Sequence, residues 1–298
     1  MSKIVGAAAR LMFGVGLGVG AVAGVTVRRL NGRIRPWPQY TFSPFEVGVP
    51  SEDVEFLADD GVRLAGWWLD NPDSETVVIC CHGHRGTKAD MLGIGSGLWR
   101  AGHSVLLFDF RGNGGSGDGP QSLAHFEQQD VRAAVDLVKR LRPDARIAIV
   151  GFSMGAAASI LAAADDPRIE AVVADSSFAA MSEVVAAAYR RYRLPGAPLV
   201  PAADLLNRLA HGYSFAEVRP VDRIAEIAPR PILLLHGTND ATIPFAHMQQ
   251  LADAAGPDAA ETVSYEEAEH CGGYFADRPA YIERVADFLA QAFAGPSV

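Results

Sequence analysis

Ser153 stands between two glycines in Gly151-Phe152-Ser153-Met154-Gly155. An apolar run, Arg146–Val150, precedes it and reads as a buried strand, while Ser153–Ala164 reads as a small-residue helix. A serine on a strand-to-helix turn is held in a strained conformation with its hydroxyl projecting outward. A Cβ at either flanking glycine would collide with the neighbouring strand or helix. The chemistry open to such a serine is acyl transfer. Its hydroxyl is a poor nucleophile at neutral pH, so it needs a base, and the base needs an acid to hold its tautomer and stabilise its charge. The expected chain order is serine, then Asp or Glu, then histidine. Asp240, in His236-Gly237-Thr238-Asn239-Asp240, and His270, in Glu269-His270-Cys271-Gly272-Gly273, supply both partners just past strand candidates. Taken singly, Asp240 reads as a helix-capping turn residue and His270 as a surface-loop histidine. Asp175 also ends a strand and is a rival acid. Order and placement together favour the triad Ser153, Asp240 and His270.

Acyl transfer also needs two preorganised N–H donors for the oxyanion. The residue after the nucleophile, Met154, is one candidate. The other belongs to the loop after Thr76–Cys81, which reads His82-Gly83-His84-Arg85-Gly86; there the main-chain N–H of His84 is the better candidate. Cys80 and Cys81 read as small core residues, since adjacent strand positions face opposite sides, and no metal site is expected from them.

These groups need a scaffold that gathers strand ends along one edge. Strand candidates are Val54–Leu57, Val62–Leu69, Thr76–Cys81, Val105–Phe110, Arg146–Val150, Ala171–Asp175, Pro231–His236 and Glu261–Tyr265. Helix candidates are Lys88–Arg100, His125–Arg142, Ser153–Ala164, Phe245–Ala255 and Arg278–Phe293. Such alternation predicts a mainly parallel sheet with helices on both sides. Between Asp175 and Pro231 lie about 55 residues, far more than a crossover needs. There Met181–Tyr192 and Ala202–His211 look helical, and a cap inserted at about residues 178–228 is expected over the carboxyl ends of the strands. Ala186–Ala188, Tyr189 and Tyr192 are candidates for lining its pocket.

The motifs His82–Gly86, Asp109-Phe110-Arg111-Gly112-Asn113-Gly114-Gly115-Ser116, the serine turn, and His236–Asp240 with His270 occur in an order that resembles the α/β-hydrolases. The resemblance is to the serine aminopeptidase-like and prolyl-oligopeptidase-like serine hydrolases, and it covers roughly Phe45 to Phe293. It implies an α/β fold with a mainly parallel eight-stranded sheet, a helical cap and an acyl-enzyme mechanism without a cofactor. The implied substrate is a small-molecule carboxylic ester or thioester. Asp109 and Arg111 are structural in such proteins. Asn113 and Gly115 depart from the family pattern, where histidine and an acidic residue often stand. A membrane-associated peptidase and a non-catalytic interaction protein on the same fold are the alternative readings.

At 298 residues, with 49% hydrophobic and 20% charged residues, the chain is globular rather than disordered. A net charge of −9 argues against a general nucleic-acid binder. Residues 1–35 form a separate hydrophobic segment before the hydrolase domain at 36–298. Leu11 to Val27 is uncharged and as a helix would reach about 25 Å, near the thickness of a bilayer core. Arg28, Arg29, Arg33 and Arg35 follow it, so a retained anchor would leave the catalytic domain in the cytoplasm. Ala21-Val22-Ala23 resembles a cleavage site, which keeps export after signal removal open. Membrane association is the expectation. Asn31–Pro50 reads as a proline-rich linker.

Overall fold

The computed structural model describes residues 2–32, 42–257 and 259–294, with side chains from residue 16 onward. Eight strands form one sheet: β1 (Glu52–Leu57), β2 (Arg63–Leu69), β3 (Thr76–Cys81), β4 (Ser104–Asp109), β5 (Arg146–Phe152), β6 (Ile169–Asp175), β7 (Ile232–Gly237) and β8 (Ala260–Tyr265). Their order is β1-β2-β4-β3-β5-β6-β7-β8. Only the β1–β2 and β2–β4 pairs are antiparallel. β1 and β2 close a hairpin in which Ala58 N–H donates to Val62 O at 2.9 Å, and Gly61 supplies the positive φ of 84°. From β3 to β8 every pair is parallel, so the carboxyl ends of β3, β5, β6, β7 and β8 lie on one edge.

The helices are α1 (Ser2–Asn31), α2 (Leu92–Arg100), α3 (Glu127–Leu141), α4 (Met154–Asp165), α5 (Met181–Arg191), α6 (Gly196–His211), α7 (Pro220–Arg223), α8 (Ala246–Ala255), α9 (Gly273–Ala276) and α10 (Arg278–Ala294). They cover both faces because strand side chains alternate. Val77, Ile79 and Cys81 join the layer under α3 and α4, while Val78 and Cys80 join the layer under α2 and α10. Both cysteines are therefore core residues, fully buried on opposite faces. The Asp109–Ser116 motif is structural too. Arg111 is fully buried and pairs with Asp130 and Asp60, each at 2.7 Å, and Asp109 accepts from Lys88 Nζ at 2.7 Å.

Between β6 and β7 the chain makes an excursion through α5, α6 and α7. Here α6 begins at Gly196, six residues before the start expected at Ala202, and carries Pro201 inside it. Three prolines argue against a helix by propensity, but Pro198 stands in the first turn, where its missing N–H would be unpaired anyway. Leu199 and Ala203 then bury one face of the helix. Tyr189 is buried, with its hydroxyl donating to Thr26 Oγ1 at 2.8 Å, whereas Tyr192 is 66% exposed.

The membrane span expected over Leu11–Val27 is not found. Among the described residues no helix is long and apolar enough to cross a membrane. The side chains of residues 11–15 lie outside the described residues, as does residues 33–41 of the expected linker. The second half of α1 instead packs on the protein. Ala23 and Val27 are buried in the same core layer as Leu199 and Ala203 of α6. Ala23 and Val27, with the half-buried Val19, Val22 and Leu30, thus serve tertiary packing, while Leu17 and Val25 stay exposed. Hydropathy does not distinguish the packed residues from lipid-facing ones.

Candidate active site

The loop after β5 turns directly into α4, and Ser153 at that turn has φ 52°, ψ −114°. Few side chains tolerate this conformation, and the surrounding structure must over-determine it. Two features do so. Ser153 N–H donates to Asp175 O at 2.8 Å, tying the turn to the end of β6. The flanking glycines allow contacts no other residue could make: a Cβ on Gly151 would lie 2.6 Å from Gly155 O, and one on Gly155 would lie 2.3 Å from Cys81 O and 2.5 Å from His82 O. Gly155→Ala is accordingly expected to destabilise the fold by about 3 kcal/mol, read from urea unfolding. A variant as stable as wild type would contradict the packing argument.

The other two groups arrive on neighbouring strand ends. The loops after β7 and β8 are joined by hydrogen bonds from Thr238 N–H to Tyr265 O and from Asn239 N–H to Ala268 O, each 3.0 Å. Gly237 permits this, because a Cβ there would stand 2.3 Å from Ala268 O. Asp240 and His270 are thereby brought together. His270 Nδ1–H donates to Asp240 Oδ2 at 2.7 Å, and Ser153 Oγ–H donates to His270 Nε2 at 2.9 Å. Asp240 has a fully buried side chain, and that of His270 is 25% exposed. The second oxygen, Asp240 Oδ1, accepts from the N–H groups of Thr242 and Ile243 at 2.8 Å each. Burial alone would raise the Asp240 pKa, but hydrogen bonds from His236, His270 and Ile243 N–H outweigh it and hold the carboxyl well below the usual carboxylate range.

The structure thus brings Ser153, Asp240 and His270 into one hydrogen-bonded chain. Asp175, the rival acid, is engaged elsewhere: it accepts from Tyr281 Oη and Ser176 Oγ, each at 2.9 Å. Burial pushes its carboxyl up to about 6, against those two hydrogen bonds. Folding raises this pKa above its ordinary 3.8, so protonation favours the folded state below about pH 4, and that contribution is lost as pH rises through about 6. Asp175→Asn removes the titration. Its stability relative to wild type is expected to improve by up to about 3 kcal/mol between pH 4 and pH 7, read from urea unfolding at the two values. A difference independent of pH would refute the assignment.

Of the two expected oxyanion donors, Met154 follows the serine directly, and His84 follows Gly83, which packs against it. Met154 is the first residue of α4, so its N–H has no partner within the helix. Gly83 runs against the nucleophile, with its Cβ direction 3.5 Å from Ser153 Cβ. His84 follows at the second position of a turn closed by Gly86 N–H donating to Gly83 O at 3.0 Å.

Residues beyond those expected also shape the site. His236 Nε2 stands 3.3 Å from Asp240 Oδ2 and shares its hydrogen with Ile243 O at 2.9 Å. Ser176, at φ 53°, accepts from Cys271 N–H at 3.1 Å, anchoring the residue after His270 to the end of β6. The motif around Asp240 contained His236, but nothing local marked Ser176.

Comparison with known proteins gives a consistent result. A family model described as alpha/beta hydrolase fold matches residues 76–196, and one described as TAP-like protein matches residues 202–294. The chain is 32% identical to YqkD, an uncharacterized protein of Bacillus subtilis, over 234 residues, 77% of this chain and 76% of that one. It is 28% identical to YfhR of Escherichia coli over 254 residues, 81% of each chain. Among solved structures it is similar to the Pyrococcus furiosus esterase Pf2001, with a TM-score of 0.71 and 25% identity over 86% of this chain and 98% of that one.

Proposed function

This chain belongs to the α/β-hydrolase family, and from that premise we propose that it is a serine hydrolase that cleaves small carboxylic esters through an acyl-enzyme. The observation that carries the reading is the chain Asp240–His270–Ser153, with links of 2.7 and 2.9 Å, set on a strained strand-to-helix turn. The neighbouring esterase supports ester substrates.

Ser153 Oγ attacks the carbonyl carbon while its proton passes to His270 Nε2. The carbonyl oxygen becomes an oxyanion held by the N–H groups of Met154 and His84. Asp240, kept ionised by its hydrogen bonds, stabilises the imidazolium and keeps Nδ1 protonated. The tetrahedral intermediate collapses with cleavage of the C–O bond, and His270 returns the proton to the departing alkoxide. Water then gives a proton to His270 as its oxygen attacks the acyl carbon. Collapse releases the acid and restores the Ser153 hydroxyl. The α5–α6 excursion acts as the cap that selects acyl length.

Fluorophosphonate labelling tests the reading. Stoichiometric adduct at Ser153, with a burst of nitrophenol from p-nitrophenyl esters, is expected. Cleavage of aminoacyl-naphthylamides without ester turnover would favour a peptidase. An unlabelled serine in folded, full-length protein would remove the proposal.

A further inference from the structure

The end of α1 meets the turn that carries His84. His84 Nε2–H donates to Leu30 O at 3.1 Å, and Arg85 Nη2 donates to Gly32 O at 3.2 Å. The last carbonyls of a helix have no partner inside it, so these side chains close the carboxyl end of α1. Burial keeps the His84 imidazole neutral, with its pKa pulled down to about 4 against the bond to Leu30. A neutral imidazole carries one N–H, and Leu30 takes it. Arg85 has φ 61°, a costly conformation for a residue with a Cβ, in the centre of the Gly83–Gly86 turn. Both central residues of that turn are therefore held from outside it.

α1 is in turn bound firmly to the excursion. Asn31 Nδ2 donates to Asn207 Oδ1 at 2.8 Å, and Tyr213 Oη donates to Asn31 Oδ1 at 3.0 Å. Asn207 is fully buried and donates to Tyr213 O at 2.8 Å. Tyr189 Oη donates to Thr26 Oγ1. A continuous set of contacts thus runs from the α5–α6 excursion through α1 to the Gly83–Gly86 turn, whose Gly83 packs against the nucleophile.

We propose that α1 is a positioning element of the active site: its terminal carbonyls grip the side chains of His84 and Arg85 and so aim the His84 main-chain N–H at the oxyanion. This rests on the serine hydrolase reading above. The side chain of His84 acts here as a positioning group, distinct from its main-chain donor. The geometry also couples substrate selection to catalysis, because a shift of the excursion is transmitted through Asn31 to the oxyanion turn.

The test uses full-length protein, p-nitrophenyl butyrate, and rates normalised to active sites titrated with fluorophosphonate. His84→Phe removes the ring donor and leaves the main-chain N–H. Its kcat per titrated site is expected to fall by about ten- to a hundredfold, with KM changed by less than about twofold. His84→Gln, whose amide can reach the same carbonyl, should recover to within about threefold of wild type. Asn31→Ala should lower kcat in the wild-type background and have a smaller effect on His84→Phe, where only the Arg85–Gly32 bond still links α1 to the turn. A purely structural role would reduce the number of titrated sites and leave the rate per site unmoved. Wild-type kcat per site in His84→Phe, or equal losses from Asn31→Ala in both backgrounds, would overturn the proposal. If His84→Phe does not fold, Arg85→Met and Asn31→Ala decide: wild-type rates per site in both overturn it, and lowered rates support it. Failure of the hydrolase reading looks different, since the wild type would then neither label nor turn over ester.

Discussion

Ser153→Ala is expected to lower kcat for a p-nitrophenyl ester by about 10³-fold or more, with little change in KM. The alanine removes only the hydroxyl oxygen that the proposed mechanism makes the nucleophile. The N–H groups of Met154 and His84, the proposed oxyanion donors, stay where they are, so on that reading residual turnover comes from binding and oxyanion stabilisation alone. Stability should change little, because Ser153 is partly exposed and its main-chain bond to Asp175 O is retained. The measurement is steady-state kinetics beside fluorophosphonate labelling, which should vanish. A variant with near wild-type turnover would mean that another nucleophile does the work.

Asp240→Asn should cost about 10⁴-fold in kcat. The two N–H groups of Thr242 and Ile243 donate to Asp240 Oδ1. In the variant they will hold the amide oxygen in that place, which turns the amide NH₂ toward His270. His270 Nδ1 must then accept, and its proton moves to Nε2, the nitrogen that has to receive the Ser153 proton. The geometry survives and the tautomer is wrong. The loss also has a stability component. Asp240 has a depressed folded-state pKa, so its contribution is present above the ordinary carboxylate pKa and is lost as pH falls through the folded value. The variant should therefore be less stable than wild type at pH 7, with the gap closing on acidification. Kinetics per titrated site and thermal unfolding at two pH values check both parts. Turnover within tenfold of wild type would show that Asp240 does not orient the base.

Much of the scaffold was legible because it is local. The β3 run Thr76–Cys81 is apolar, β-branched and bounded by polar residues, and its observed limits coincide with those read from the pattern. The α3 pattern places Val131, Ala134, Val135, Val138 and Leu141 on one face at helical spacing; the first four are buried, whereas Leu141, in the last turn, is exposed. The start of α6 was not legible, because proline propensity opposes it and only burial of Leu199 and Ala203 decides it. The packing of the second half of α1 was not legible for a related reason. A glycine- and valine-rich helix looks the same in sequence whether lipid or another helix covers it. The polar residues that mark its protein contact, Thr26 and Asn31, have partners more than 160 positions away.

The amino acids alone determined that a serine would sit on a strained turn. Glycines at 151 and 155 leave main-chain oxygens room to approach within distances that any side chain forbids. They also determined the chain order of the reacting groups and their placement after strands. Which carboxylate faces His270 was settled only by tertiary structure. Asp175 ends β6 and Asp240 follows β7, and the packing of Tyr281 and Ser176 engages the first while the joined β7 and β8 loops deliver the second. The grip of α1 on His84 is of the same kind. Its energy comes from bonds between residues remote in the chain, and no local pattern records a partner that only folding brings near.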